Sequence, residues 1–207
     1  MDNFALLGQP RQPWLDPVAL KTAFLEQSAR LHPDRVQAGS EEEKAAATGR
    51  FAELNAAYNC LREPKDRLLH LLELETGAPP ADVQNVPEGT MDLFMETGQI
   101  CRQTDQFLAA RGRGSSPLLQ AQSFEQALEL TARLQELQER IHLRRDQLLA
   151  ELRPMNVAWN AAPPAPPLAR AGTLPLRRLE EMARTLSYIA RCAAQVQERL
   201  SQLTISS

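Results

Sequence analysis

The stretch Leu31-His32-Pro33-Asp34-Arg35-Val36-Gln37-Ala38-Gly39-Ser40-Glu41-Glu42-Glu43 decides how this chain is read. It stops one helix, crosses a polar loop and starts another. The ring of Pro33 disfavours helical geometry at His32 and removes a backbone donor, so a helix arriving from the N-terminal side ends there. Asp34 through Gly39 reads as the loop. Ser40 and Glu43 have capping-box spacing: the Ser40 hydroxyl can accept from the Glu43 N–H, and the Glu43 carboxylate can reach back to the Ser40 N–H. Three acids in that first turn also suit the positive end of the helix dipole.

Working outward, Asp16-Pro17 supplies an N-cap carboxylate followed by proline at the first helical position. The helix it opens is predicted to run to about Leu31, with Leu20, Phe24 and Leu31 as its apolar stripe and Lys21 and Arg30 off it. Beyond the loop, Ala47, Phe51, Leu54, Tyr58 and Leu61 recur at spacings that alternate between four and three. That is the seam of an antiparallel helix pair, ending before Pro64. A short helix capped by Asp2 precedes the pair and stops near Gly8. A fourth helix is predicted over 65–75, packed by Leu68, Leu71 and Leu72 and ended by Gly77. Residues 1–75 therefore read as one helical module.

Prolines and glycines across 76–89 mark a linker. Residues 90–207 read as an elongated three-helix bundle. Its helices are predicted over about 90–111, 116–153 and 175–203, with a Pro-rich loop at 153–175 expected to be an exposed, semi-rigid polyproline segment. The fold class is all-α: Leu, Ala, Glu, Gln and Arg abound, and no stretch alternates with period two.

A net charge of −3 excludes bulk electrostatic attraction to nucleic acid. No apolar run is long enough to span a bilayer. Met1-Asp2-Asn3-Phe4 has neither the basic nor the apolar region of a signal peptide, so the expected location is cytoplasmic. Cys60, Cys101 and Cys192 form no CxxC pair, and neither a disulfide framework, a metal site nor a cofactor is expected. No nucleophile–base constellation is present, so the chain reads as a non-enzyme. His70 and His142 are expected on helix surfaces or edges. Trp14 is expected as a packing anchor, and Trp159 either tucks into the bundle or meets a partner.

Alone, His32-Pro33-Asp34 is an ordinary helix stop beside a solvated acid. Set between two antiparallel helices, it resembles a J-domain. Residues 1–77 more narrowly resemble the HscB iron–sulfur co-chaperones. The resemblance rests on Asp2, Phe4, Leu6-Leu7-Gly8 and Pro10, then Leu15-Asp16, Leu20, Phe24 and Leu31-His32-Pro33-Asp34. It continues through Gly39-Ser40, Asn55, Ala57-Tyr58, Leu61, Pro64, Arg67, Leu71-Leu72 and Leu74.

The resemblance implies a co-chaperone that stimulates the ATPase of a DnaK/HscA-type chaperone and delivers an IscU-like iron–sulfur scaffold to it. Asp34 would offer its carboxylate to an arginine of that ATPase, His32 and Pro33 would aim it, and Lys21, Arg30 and Arg35 would steer the approach. In the second half, Leu93-Phe94-Met95-Glu96-Thr97-Gly98-Gln99 aligns with a family stretch like Phe-Leu-Met-Glu-x-Leu-Glu that touches the scaffold. Phe94, Met95 and Glu96 fit that client-binding pattern, while Gly98, Gln99 and Thr185 depart from it. For Phe94 and Met95 the competing reading is plain bundle core. The alternative functions are a J-domain co-chaperone for a different client and a helical scaffold protein that no longer recruits a chaperone.

Overall fold

Asp2 begins the first element as an N-cap: its Oδ1 accepts from the Phe4 and Ala5 N–H groups at 3.0 and 3.3 Å, and Arg11 holds the other oxygen. The computed structural model describes residues 1–32, 40–80, 87, 89–110, 117–162 and 167–205. Among these residues every regular element is a helix. They are α1 (Asn3–Leu6), α2 (Pro17–Leu31), α3 (Glu41–Arg62), α4 (Pro64–Thr76), α5 (Met91–Ala110), α6 (Pro117–Ala161), α7 (Pro167–Arg170) and α8 (Leu176–Ile205). No described helix is long and apolar enough to cross a membrane.

The expected punctuation is present. Asp16 caps α2 with Pro17 at its first position, and Ser40 and Glu43 form the reciprocal capping box of α3. Gly77 ends α4 with φ 77°, a left-handed conformation that a side chain would strain. Pro64 does not merely end α3; it opens α4.

The chain divides into two compact units, Met1–Asp82 with Leu149–Ala183, and Val83–Leu148 with Arg184–Ser207. In the first, α3 packs against α1, α2 and α4. Phe4, Leu7, Leu20, Leu54, Leu61, Leu68 and Leu71 are fully buried there. Each such leucine contributes about 1.5–3 kcal/mol. The seam differs in detail from its predicted form. Ala47, Leu54, Ala57 and Leu61 are buried, whereas Phe51 and Tyr58 are half-buried at its edge.

Two polar side chains hold this unit together. Arg67 is buried, and its guanidinium donates to the Pro13 carbonyl at 2.8 Å and to the Leu61 carbonyl at 2.6 Å. The second acceptor is one of the carbonyls that the last turn of α3 leaves without an intrahelical partner. Burial lowers the Arg67 pKa to about 10, so it stays charged at neutral pH. His70 is not the plain surface histidine expected. Its ring stacks on Phe4 at 5.8 Å, and its Nε2 accepts the Asn3 N–H at 3.1 Å.

Residues 149–183 correct the expected Pro-rich loop. α6 does not stop at Arg153; it continues through Pro154 to Ala161. Proline costs a helix one hydrogen bond, but Pro154 lies on an exposed side with Ala150, where water can satisfy the freed carbonyl. The turns beyond it are anchored. Asn156 accepts from the Trp14 N–H and donates to the Trp14 carbonyl, both at 2.9 Å, and the Arg153 guanidinium lies 4.9 Å from the Trp14 ring centre. Trp159 is buried, which decides between its two expected roles in favour of packing. Past Ala162, α7 is seated on α4, where Arg170 pairs with the fully buried Glu75 at 3.0 Å. Residues 163–166, the core of the expected polyproline segment, lie outside the described residues.

In the second unit, α5, α6 up to Leu148 and α8 from Arg184 form the helical bundle. Leu130, Leu134, Leu137 and Ile141 of α6 and Leu186, Ile189, Cys192 and Val196 of α8 are buried at three- and four-residue spacings. The hydroxyls of Thr97 and Thr104 are satisfied by the carbonyls of Leu93 and Ile100 one turn back. Arg199 and Asp105 pair through two hydrogen bonds of 3.1 and 3.2 Å. The sequence expectation divided the chain at 76–89 in chain order. The compact units divide it otherwise, because 149–183 is held by Trp14 and Glu75.

Arg67→Ala leaves two buried carbonyls without a donor and is expected to lower stability by about 2–4 kcal/mol. Urea unfolding with an unchanged midpoint would contradict that role. His70 gives a second expectation. Its folded pKa lies below 6.5 because burial disfavours the imidazolium, with Asp2 and Glu73 pulling the other way to a smaller degree. Its stabilisation is thus complete above about pH 6.5 and is lost as pH falls through the lowered value. His70→Gln keeps an acceptor without titrating, and should flatten the stability profile between about pH 7 and 5 relative to wild type.

Candidate functional site

The open end of the α2–α3 pair is built from aromatic contacts. Phe24 of α2 stacks on Tyr58 of α3 at 4.2 Å, and the Arg62 guanidinium lies 5.9 Å from the Tyr58 ring centre. One layer further toward the turn, the His32 ring meets Phe51 edge-on at 5.4 Å. The His32 backbone is extended at φ −58° and ψ 130°, so the helix ends where Pro33 predicts. His32 is an exposed residue. On the far side of the turn the Ser40–Glu43 box starts α3. Pro33, Asp34 and Arg35 lie outside the described residues; His32 and Ser40 bound the segment that carries them.

Lys21 and Arg30 are both exposed on α2. The structure adds two neighbours that the sequence reading passed over, Val18 at 74% and Leu25 at 54% exposure. Lys21 and Leu25 are four residues apart and share a face. The available signal was their position off the Leu20–Phe24–Leu31 stripe.

The second candidate surface lies on α5. Met91, Phe94 and Met95 are 49%, 40% and 60% exposed, so they are not the bundle core that the competing reading made of Phe94 and Met95. Phe94 leans edge-on against Tyr188 of α8 at 6.0 Å, and the Arg191 guanidinium lies 5.0 Å from the Tyr188 ring centre. Glu96 is ion-paired with Arg140 of α6. Gly98 leaves room for Arg102, whose Nη1 lies 3.3 Å from where a Cβ on Gly98 would sit. Thr185 is buried. Tyr188 was missed in the sequence because attention fell on Arg184-Thr185-Leu186, and the aromatic side chain follows one helical turn later.

Among the described residues no group of three or more His, Cys, Asp or Glu is placed to hold a metal ion. The thiols of Cys60 and Cys101 are pushed up by burial, away from the thiolate form that reacts. His142 is exposed.

No protein-family model matches the chain. Among solved structures it is similar to the chaperone HscB from Vibrio cholerae, with a TM-score of 0.63 and 23% identity over 98% of this chain and 99% of that one. It is also similar to the human co-chaperone protein HscB, with a TM-score of 0.58 and 16% identity over 95% of this chain and 81% of that one. The fold is that of HscB. The likeness to HscB extends over nearly the whole chain, so it takes in the second unit, where the residue pattern departs most, as well as the first.

Because Phe51 is half-buried, Phe51→Ala is expected to cost about 1–3 kcal/mol, below the 3–5 typical of a fully buried phenylalanine. A urea midpoint equal to wild type would mean that the His32–Phe51 contact does not support the turn.

Proposed function

We propose that the chain is a J-domain co-chaperone that stimulates the ATPase of a DnaK/HscA-type chaperone and presents an IscU-like iron–sulfur scaffold to it. The observation that carries this reading is the helix pair ending in His32 against Phe51, with Pro33 and Asp34 next in the sequence at the turn. The HscB fold and the residue pattern of 1–77 support it.

In this mechanism Asp34 supplies the trigger contact. A carboxylate on a short turn can accept two parallel N–H bonds from an arginine, a short and orientation-specific interaction. His32, Pro33, Lys21, Arg30 and Arg35 form the rest of the chaperone-binding set. The cations steer encounter and set its rate, while Val18 and Leu25 add apolar contact on α2. Phe94, Met95 and Glu96 belong to the client-binding face. The protein itself catalyses nothing; it binds the ATP state of the chaperone more tightly than the ADP state, and that difference is the whole of its leverage.

Asp34→Asn is expected to remove stimulation of the chaperone's steady-state ATP turnover while leaving the circular dichroism spectrum unchanged. Full stimulation by this variant would rule out the J-domain reading. Phe94→Ala with Met95→Ala should reduce recovery of the iron–sulfur scaffold in a pull-down by full-length protein, and equal recovery would place the client elsewhere.

A further inference from the structure

The α5–α8 face of the second unit carries charge as well as apolar surface, and its unpaired cations outnumber its unpaired acids. Met91, Phe94 and Met95 are exposed on α5, and Phe94 meets the buried Tyr188 of α8 edge-on. Two acids near this face are neutralised: Glu96 by Arg140, and Asp105 by Arg199. Asp92, in the first turn of α5, is the remaining acid nearby. Two cations are left. Arg102 lies over the backbone at Gly98, one turn from Phe94 and Met95, and Arg191 lies over the Tyr188 ring. Neither has an ion-pair partner among the described residues.

We propose that this face takes a partner segment that is both apolar and acidic, its hydrophobic side chains meeting Met91, Phe94 and Met95 while its carboxylates meet Arg102 and Arg191. Three features of the geometry favour that occupant. Gly98 puts no side chain between the apolar residues and Arg102, whose Nη1 lies 3.3 Å from where a Cβ on Gly98 would sit. Arg102 and Arg191 are both exposed, so a carboxylate can reach either guanidinium and form charge-assisted hydrogen bonds. A basic segment would place like charges together on docking, which costs several kcal/mol at an interface. The identity of the partner as the iron–sulfur scaffold rests on the function proposed above; the charge preference rests on these side chains alone.

The test uses full-length protein and two fluorescein-labelled peptides with the same leucines, one spaced by glutamates and the other by lysines, followed by anisotropy at low salt. The glutamate peptide is expected to bind at least about tenfold more tightly, a difference of about 1.4 kcal/mol. The advantage should shrink as salt rises. Arg102→Glu with Arg191→Glu should reverse the order, and Arg102→Gln with Arg191→Gln should abolish it without reversal. All variants are first checked for a wild-type melting curve. Equal binding, a lysine preference or no binding of either peptide by wild type overturns the proposal. A parallel titration with the scaffold protein separates the two ideas. Scaffold binding untouched by charge reversal overturns the charge preference alone; a preserved peptide preference without scaffold binding upholds it and removes the client assignment.

Discussion

The first unit depends on a buried arginine. Arg67 gives up most of its hydration, which pulls its pKa down to about 10, and recovers that cost through bonds to the carbonyls of Pro13 and Leu61. These acceptors belong to different stretches of chain: one lies between α1 and α2, the other in the last turn of α3. A single planar group thereby ties the approach to α2 to the end of α3. The antiparallel pair keeps its register between this tie at one end and the Phe24–Tyr58 and Phe51–His32 contacts toward the other.

Chain order and packing order differ in this molecule. The last turns of α6 and the first of α8 belong with the N-terminal helices, although more than sixty residues separate them in sequence. The cause is polar as much as apolar. Asn156 pairs with both backbone groups of Trp14 in the manner of a strand neighbour, and Glu75 has no exposure and relies on Arg170 to offset its charge. Removing one member of a buried ion pair leaves the other charged and desolvated, which costs more than the pair contributes. Residues 149–162 and 167–183, on either side of the undescribed prolines, are thus part of the first unit where a free loop was expected over 153–175.

Each unit carries one of the two faces on which the proposed function rests. The α2 face joins cations to exposed apolar residues, as does the α5–α8 face, where Glu96 and Asp105 are paired with arginines and Asp92 is not, among the described residues. In the HscB-like pattern a second leucine and a glutamate would occupy the places of Gly98 and Gln99. Arg102 Nη1 lies 3.3 Å from where a Cβ on Gly98 would sit.

Local chemistry determined the helices, because their signals are local: Asp16-Pro17, the Ser40–Glu43 box, Gly77 and the repeat from Ala47 to Leu61 need only neighbours along the chain. The end of α2 at His32 was legible for the same reason, as was the exposure of Lys21 and Arg30. The sequence did not disclose that Arg67, Glu75 and His70 would be buried, since a charged or titratable residue enters a core only when a distant group meets it. Nor could periodicity place Phe94 and Met95 outside the bundle, or bring Tyr188 and Arg191 beside them, because facing is decided by which helices pack together. Pro154 was read as a stop by a rule that holds for an isolated helix; anchoring of the turns beyond it by Trp14, across the fold, is what tertiary structure alone supplied.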